Sequence, residues 1–421
     1  MDDISFLEVI SDSASRGWII RRPRQGPWIG ARPRGPRLPA AGWKLHVSAT
    51  TQSAAEVLDR ALPLLLEERA AFKVAAALSV VAALNEGEGG ISQIGKFITV
   101  YPRDEAQALR LAAALDEATA GLRGPRVETD RELHGGSLVH YRYGAFVGRP
   151  QDAEPSAPAV DPFLASGIAD APTRGSIAGR YVVVSSLHRS ASGSVLLAAD
   201  VEAGEARVLK RAGRDSRLGP DGLDARDRLR HEASVLEQLA SDPRVPAVQD
   251  LLEDDGDLYL VLEHLDGHTL GSLVTGPCDQ ERTLTWAREL VSILRMLHRA
   301  GLVYRDLNPL NVLVSAGGSL RLVDFELACL TGSSGPAAGT PGYCSPQQMA
   351  GAPASEADDV YGLGAMLHLL STGTDPGTVA PRTPVSGLER AIARCLDEDP
   401  DRPRPSLEEL DLMLAELQAT T

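Results

Sequence analysis

Residues 303–327 read VYRDLNPLNVLVSAGGSLRLVDFEL, and the fold of the second half of the chain hangs on them. Leu310 to Val314 and Leu320 to Phe325 are apolar, β-prone runs, and Ala316-Gly317-Gly318 supplies a turn between them. The pattern predicts a short loop, a strand, a tight turn and a second strand. Asp306, Asn311 and Asp324 sit at the ends of this unit. Taken singly, an Asp or Asn beside a hairpin is a turn former. Three in register, with Arg305 ahead of the first, suit phosphoryl transfer, where a protein orients a hydroxyl and holds metal ions against nucleotide phosphates. Asp306 can accept the hydroxyl proton, and Asn311 and Asp324 offer oxygen ligands for Mg²⁺.

The chain has 421 residues, enough for two domains with separate cores. Its 43% apolar and 24% charged residues are ordinary for a globular protein. The net charge of −15 argues against general nucleic-acid binding, because a polyanion is repelled outside a local basic patch. The longest apolar run, VAAALSVVAAL at 74–84, falls short of the roughly 20 residues of a membrane helix. The start MDDISF lacks the basic and apolar segments of a signal peptide. Cys278, Cys329, Cys344 and Cys395 are scattered singly, which suits a reducing cytoplasm and offers no CxxC metal site. A cytoplasmic protein without membrane or nucleic-acid partners is the expectation.

In the front part, RGWIIRRPRQGPWIGARPRGPR (16–37) is a cationic strip whose Pro and Gly argue against a long helix. It reads either as a holder of an anionic peptide or nucleotide, or as a solvated loop with two Trp anchors. GWKLHVSA (42–49) alternates as a strand, with Lys44 and His46 on one face and Leu45 and Val47 on the other. Ser53 to Glu56 form a capping-box pattern opening an amphipathic helix that Pro63 should kink. AFKVA (71–75) and IGKFITVY (94–101) read as two further strands. Asp104 caps the next helix, Gly121 closes it, and GSLVHYRYGAFV (136–147) is a fourth strand with His140 and Arg142 on one face. The class is α+β, with cations on strands.

Residues 149–176 are rich in Pro, Ala, Ser and Gly with little periodicity, which marks a linker between a domain at 1–148 and another at 177–421. The second domain starts β-rich and turns helical after Gly271. This order, with Asp306, Asn311 and Asp324-Phe325, resembles the two-lobed fold of the protein kinases over residues 177–415. The resemblance implies ATP or another nucleoside triphosphate with Mg²⁺, Lys210 pairing with the phosphates, and Glu232 holding that lysine. It also puts Gly193 in a degenerate phosphate-covering loop, LHRSASGSV, and the adenine-reading hinge at Glu263 to Leu265. Against the family's pattern, Tyr304 replaces a His, Asn308 a Lys, Glu326 a Gly, and Ser345-Pro346-Gln347 the A-P-E triplet. Asp359 and Arg402 match structural residues of the helical lobe.

The front motifs GWKLHVSAT, AFKVA, IGKFITVYP and GSLVHYRYGAF, ahead of such a kinase, resemble the lyase-plus-kinase portion of class III and class IV lanthipeptide synthetases. The resemblance implies a phosphoserine/phosphothreonine lyase in which Lys73 is the base, His46 the acid on the leaving oxygen, and Lys44 stabilises the enolate-like intermediate or phosphate. Lys96 and Arg142, with Arg126 and Arg131 behind them, are candidates for phosphate binding. The implied partner is a ribosomal precursor peptide, a leader plus a Ser/Thr/Cys-rich core, dehydrated to dehydroalanine or dehydrobutyrine. The family's zinc cyclase needs Cys and His ligands, and the chain stops at Thr421 just after the kinase. The expectation is a truncated chain or a separate cyclase polypeptide. Two rivals are a signalling Ser/Thr kinase with a regulatory front domain, and a pseudokinase scaffold resting on Asn308, Glu326 and the thin glycine loop.

Overall fold

The computed structural model describes residues 5–14, 17–21, 26–35, 37–146, 155–170, 175–219, 222–376, 386–399 and 402–420. Parts of the cationic strip (16, 22–25, 36) and of the linker (149–154, 171–174) lie outside the described residues. The chain divides into two compact units, one of residues 1–205, 209–228 and 252–259, the other of 206–208, 229–251 and 260–421.

The front part runs α1 (Phe6–Ser13), β1 (Trp18–Arg21), β2 (Trp28–Pro33), β3 (Ala41–Val47), α2 (Ala54–Glu67), β4 (Ala71–Ala75) and α3 (Leu78–Asn85). Then come β5 (Ile98–Tyr101), α4 (Glu105–Thr119), β6 (Arg131–Glu132), β7 (Val139–Ala145) and α5 (Pro162–Ala165). Its seven strands form one sheet in the order β1-β2-β4-β5-β3-β7-β6. Alternation sets the two faces. Leu45, Val47, Ile98, Val100, Val74 and Tyr141 are buried in the apolar core, to which α2 and α4 also contribute. The residues between them carry the cations to the other face.

Several expectations need correction. The strip at 16–37 contains two strands, because Trp18, Ile29 and Ala31 are buried at alternate positions that its Arg, Pro and Gly content conceals. Lys96 precedes a strand that starts only at Ile98. Ser53 does not close a capping box: its hydroxyl donates to Arg123 O at 2.5 Å, and Glu56 pairs with Arg60 instead. Helix α2 continues through Pro63, which is exposed. Within the expected linker, Asp161 caps α5, and the fully buried Phe163 ring stacks on Tyr141 with centroids 4.0 Å apart. Residues 161–169 thereby join the front core.

The later part begins with β8 (Tyr181–Arg189), β9 (Gly193–Asp200), β10 (Glu205–Ala212), α6 (Ala225–Gln238), β11 (Val248–Asp254) and β12 (Asp257–Glu263), in a sheet ordered β11-β12-β10-β9-β8. Next are β13 (His268–Thr269), α7 (Leu270–Leu273), α8 (Gln280–Arg299), β14 (Leu302–Val303), β15 (Val312–Val314), β16 (Leu320–Leu322) and β17 (Cys329–Leu330). The chain ends in α9 (Pro346–Met349), α10 (Glu356–Thr372), α11 (Gly387–Cys395) and α12 (Leu407–Ala419). The expected hairpin is β15–β16, with Val312 opposite Leu322, and it is shorter than its apolar run because Leu310 is exposed. Among the described residues no helix is long and apolar enough to cross a membrane.

Within the first compact unit, polar contacts join residues 123–128 to Arg211, Asp215 and Asp257. Buried Asp215 accepts from Arg123 Nε at 2.7 Å and from the Gly124 N–H at 3.1 Å. Arg126 reaches Asp257 at 3.3 Å, and Arg211 joins Asp257 at 2.5 Å to Glu128 at 3.2 Å. Asp215→Ala would leave the Gly124 N–H buried without its acceptor, a loss of about 2 kcal/mol. Faster hydrogen exchange at Gly124 than in the wild type is the expected outcome, and unchanged protection would show that this contact does not hold the unit together.

Candidate active site

Register on the front sheet builds a cationic site. His46 on β3 lies opposite Thr99 on β5, and Thr99 lies opposite Lys73 on β4. Base and acid candidates are therefore two strand spacings apart, roughly 10 Å between backbones, with a short residue between them. Lys44 lies opposite Arg142 one step along β3. Lys73 Nζ stands 3.9 Å above the Trp28 ring. Burial, then the charges of Lys96, Lys44 and Arg142, lowers its pKa to about 8. Roughly a tenth of the molecules then carry a neutral amine at pH 7.

Asp130 organises the rest. Its carboxylate meets His46 Nδ1, Lys96 Nζ at 3.5 Å and Arg142 Nε at 3.6 Å, and accepts the Thr129 hydroxyl at 2.8 Å. Burial would raise its pKa, but the hydrogen bond from His46 and the charge of Lys96 hold it well below the carboxylate range. Burial pushes His46 down to about 4 against the pull of Asp130, so the resting imidazole is neutral. Lys96 is also lowered, chiefly by burial. With Nδ1 on Asp130, Nε2 remains for a substrate. Among the described residues Lys73, Lys44, Lys96 and Arg142 gather near the Asp130 carboxylate, a cationic setting suited to an anionic group. The buried Thr99 hydroxyl has no hydrogen-bond partner among the described residues, another mark of a site built for a ligand. His140, by contrast, is structural: Nε2 accepts from Val127 N–H at 3.2 Å and Nδ1 meets Leu138 O at 3.2 Å.

In the second unit, Asp306 Oδ2 accepts from Asn311 Nδ2 at 2.7 Å and Oδ1 from the Thr340 hydroxyl at 2.8 Å. Burial raises the Asp306 pKa, and the negative charge of Asp324 adds to that rise against the hydrogen bond from Thr340. Two carboxylates that repel each other beside an amide are a donor set that a divalent cation would relieve, so the residues fit Mg²⁺. Among the described residues no group of three or more His, Cys, Asp and Glu side chains is gathered for a metal. Tyr304 is fully buried, and its hydroxyl donates to Val323 O at 2.5 Å, next to Asp324. The backbone N–H groups of Tyr304 and Arg305 donate to Asp359 at 2.9 and 2.7 Å. Asn308 braces the loop, donating to Asp306 O and Thr340 Oγ1 and accepting from Leu310 N–H. Buried Glu232, on α6, accepts from the Phe325 N–H at 2.9 Å.

A protein kinase domain model matches residues 181–411, more than half of the chain. The chain belongs to the protein kinase family. Ahead of the kinase domain, residues 7–162 match the model described as RamC, N-terminal domain. The chain is 32% identical over 382 residues to the probable SapB synthase of Streptomyces coelicolor, covering 81% of this chain and 41% of that protein. It is 30% identical over 210 residues to the serine/threonine-protein kinase PrkC of Bacillus subtilis, covering 48% and 31%. Against the serine/threonine-protein kinase PknL of Mycobacterium tuberculosis it is 34% identical over 206 residues, covering 47% and 51%. The chain thus spans about two-fifths of the length of the SapB synthase it matches. The two domain matches and that relative bear out the resemblance to the lyase-plus-kinase portion of a class III lanthipeptide synthetase.

A protein kinase domain implies ATP binding, generally with Mg²⁺. Lys210 is half-buried on β10 of the kinase domain. Gly193 is required for a structural reason: a Cβ there would stand 1.7 Å from Arg211 O. The turn around it closes on itself, since Ser190 and Gly193 exchange backbone hydrogen bonds and Ser192 N–H donates to Ser190 Oγ. The N–H groups of Ser190, Ser192 and Gly193 are thus engaged within the turn. Glu263 ends β12, and the Leu265 backbone makes no backbone hydrogen bond among the described residues, as a hinge requires. Arg126 and Arg131 leave the phosphate-binding set. Arg126 is matched by Asp255, Asp257 and Glu132, and Arg131 is paired with Asp161 at 3.1 Å. Sequence reading missed Asp130, Thr99 and Thr340. Only Thr340 had a signal, its place in GTPGYCSP ahead of the A-P-E position.

Proposed function

We propose that the chain is a bifunctional peptide dehydratase. Its kinase domain phosphorylates Ser or Thr of a ribosomal precursor peptide, and its front domain then eliminates phosphate to give dehydroalanine or dehydrobutyrine. One observation carries the reading: Lys73, its pKa brought down to about 8, shares a sheet face with Lys44, Arg142 and His46, and His46 is paired with Asp130.

In the first step Asp306 accepts the hydroxyl proton as the oxygen attacks the γ-phosphorus of ATP, the bond from that phosphorus to the β-phosphate oxygen breaks and ADP leaves, and Asn311 fixes the Asp306 carboxylate. Asn311 and Asp324 would hold Mg²⁺, which when bound neutralises phosphate charge. In the second step the neutral Lys73 amine takes the Cα proton, the C–H electron pair forms the double bond, and the Cβ–O bond breaks. Lys44, Lys96 and Arg142 balance the phosphate. The incoming dianion raises the proton affinity of His46, which takes up a proton from water on Nε2, and the imidazolium then gives that proton to the leaving oxygen.

Incubating the full chain with a Ser/Thr-rich precursor peptide, ATP and Mg²⁺ should yield products that have lost water, read by mass spectrometry. Stable phosphopeptides with no water loss would instead leave a signalling kinase with a regulatory front domain.

A further inference from the structure

The cationic strip is not consumed by the elimination chemistry. Beside Lys73 lies a groove of about 640 Å³ lined by Arg21, Arg32, Arg34, Arg37, Arg69 and Arg103, with Ile19, Phe72 and Tyr101 among its apolar walls. No Asp or Glu lines it, in a chain of net charge −15. Among the described residues Arg21, Arg32, Arg34 and Arg37 form no ion pair with a carboxylate, whereas Arg103 meets Asp104 at 3.4 Å. The register explains the groove's course. Arg21 lies opposite Gly30 on β2, and Gly30 lies opposite Lys73, so the row runs from Lys73 toward the β1 edge of the sheet. Gly30 puts no side chain on the floor between them.

A single phosphate dianion is already balanced by Lys44, Lys96 and Arg142, so Arg21, Arg32, Arg34 and Arg37 call for further anionic groups. We infer that this groove takes an acidic stretch of the substrate peptide, the carboxylates of Asp or Glu side chains flanking the phosphorylated residue held at Lys73. The inference rests on the lyase reading of that site. Arg21 is two strand spacings from Lys73, roughly 10 Å, and an extended peptide advances about 3.3 Å per residue. The acidic side chains therefore belong about three residues from the reacting one and beyond. Guanidinium forks on an open surface recognise carboxylates without demanding one sequence, which suits a peptide whose several Ser and Thr residues must pass through the same site.

The test uses the full chain and an Arg21→Gln/Arg34→Gln/Arg37→Gln variant, three exposed side chains whose loss leaves the core untouched. Phosphoserine peptides with Asp residues three to five positions away on either side are compared with peptides carrying Ala there. The first readout is phosphate release. The second is fluorescence anisotropy of the same labelled peptides without the phosphate. The acidic peptide should show a KM about tenfold lower on the wild type than on the variant, the sum of a few exposed ion pairs, with kcat little changed. The advantage should shrink as salt rises through the range where the screening length falls below about 10 Å. Acidic and neutral peptides behaving alike on the wild type would overturn the inference, as would an acidic advantage that survives in the variant. Arginine-dependent binding of the acidic peptide with no phosphate release from any peptide would uphold the groove and sink the lyase reading instead.

Discussion

Lys73→Ala should leave phosphorylation intact and stop elimination, so that the peptide accumulates as its phosphate ester. The expected slowing is about 10²–10⁴-fold, the usual worth of a positioned general base. The choice of Lys73 rests on geometry before pKa. It shares a sheet face with Lys44, His46 and Arg142, and it is half-buried against the Trp28 ring. Burial and the neighbouring cations disfavour its protonated form, which brings it to about 8. That value sets the sign of the pH dependence. Below it the amine carries a proton and cannot accept another, so elimination from a pre-phosphorylated peptide should rise with pH toward about 8 and fall again where His46 in the substrate complex loses its proton. Lys73→Arg should not rescue, because a guanidinium keeps its charge and its proton at any working pH. Rates of water loss in wild type, Lys73→Ala and Lys73→Arg, measured on one phosphopeptide across pH, check all of this. A Lys73→Ala enzyme that still eliminates, with the same ascending limb, would move the base elsewhere.

Much of that site is legible in the amino-acid order alone, and the reason is period. A strand alternates, so Lys44 and His46 must share a face opposite Leu45 and Val47, and the lysine inside AFKVA lies on the face opposite Phe72 and Val74. What alternation cannot give is the partner that arrives from elsewhere in the chain. Asp130 precedes the two-residue strand β6 in GPRVETDRELH, where nothing local separates it from an ordinary surface acid. Its burial is tertiary. The same limit acts in reverse on Arg126 and Arg131, whose charge suggests phosphate although neighbouring carboxylates match it. Composition misleads in two places. The strip at 16–37 hides two strands because Pro33 falls at the last position of β2 and Pro27 just before the first, while Gly30 is carried within the strand. The linker hides Phe163, one apolar residue being enough to dock a segment on Tyr141. In the kinase domain the departures read as deficits in sequence, and two of them are braces in space. Tyr304 anchors Val323 beside Asp324, and Asn308 ties the loop to Thr340.

Those braces bear on whether the second unit is an enzyme or a scaffold, and Asp324→Asn decides it. The backbone at Asp324 has φ of +66°, a region in which Asn is tolerated about as well as Asp, so the variant should fold without new strain. The change removes one negative charge and keeps the side chain's size and shape. Asp306, raised by burial and then by Asp324, should fall back toward the ordinary carboxylate range, which by itself leaves it a competent proton acceptor. What is lost is the anionic ligand that would hold the metal against the phosphates. Phosphoryl transfer depends almost wholly on such positioning and charge, and removal of one preorganised electrostatic group typically costs about 10²–10³-fold. Phosphopeptide formation from ATP should therefore fall by at least that factor. Elimination from a peptide phosphorylated beforehand should stay at the wild-type rate, since Lys73 and the His46–Asp130 pair lie on a different sheet. Lys73→Ala should show the converse, first step retained and second step lost. Mixing the two variants should then restore dehydration, because a phosphopeptide released by one can be processed by the other. Dehydration by Asp324→Asn alone at the wild-type rate would mean that Asp306, Asn311 and Asp324 are only the frame of a scaffold.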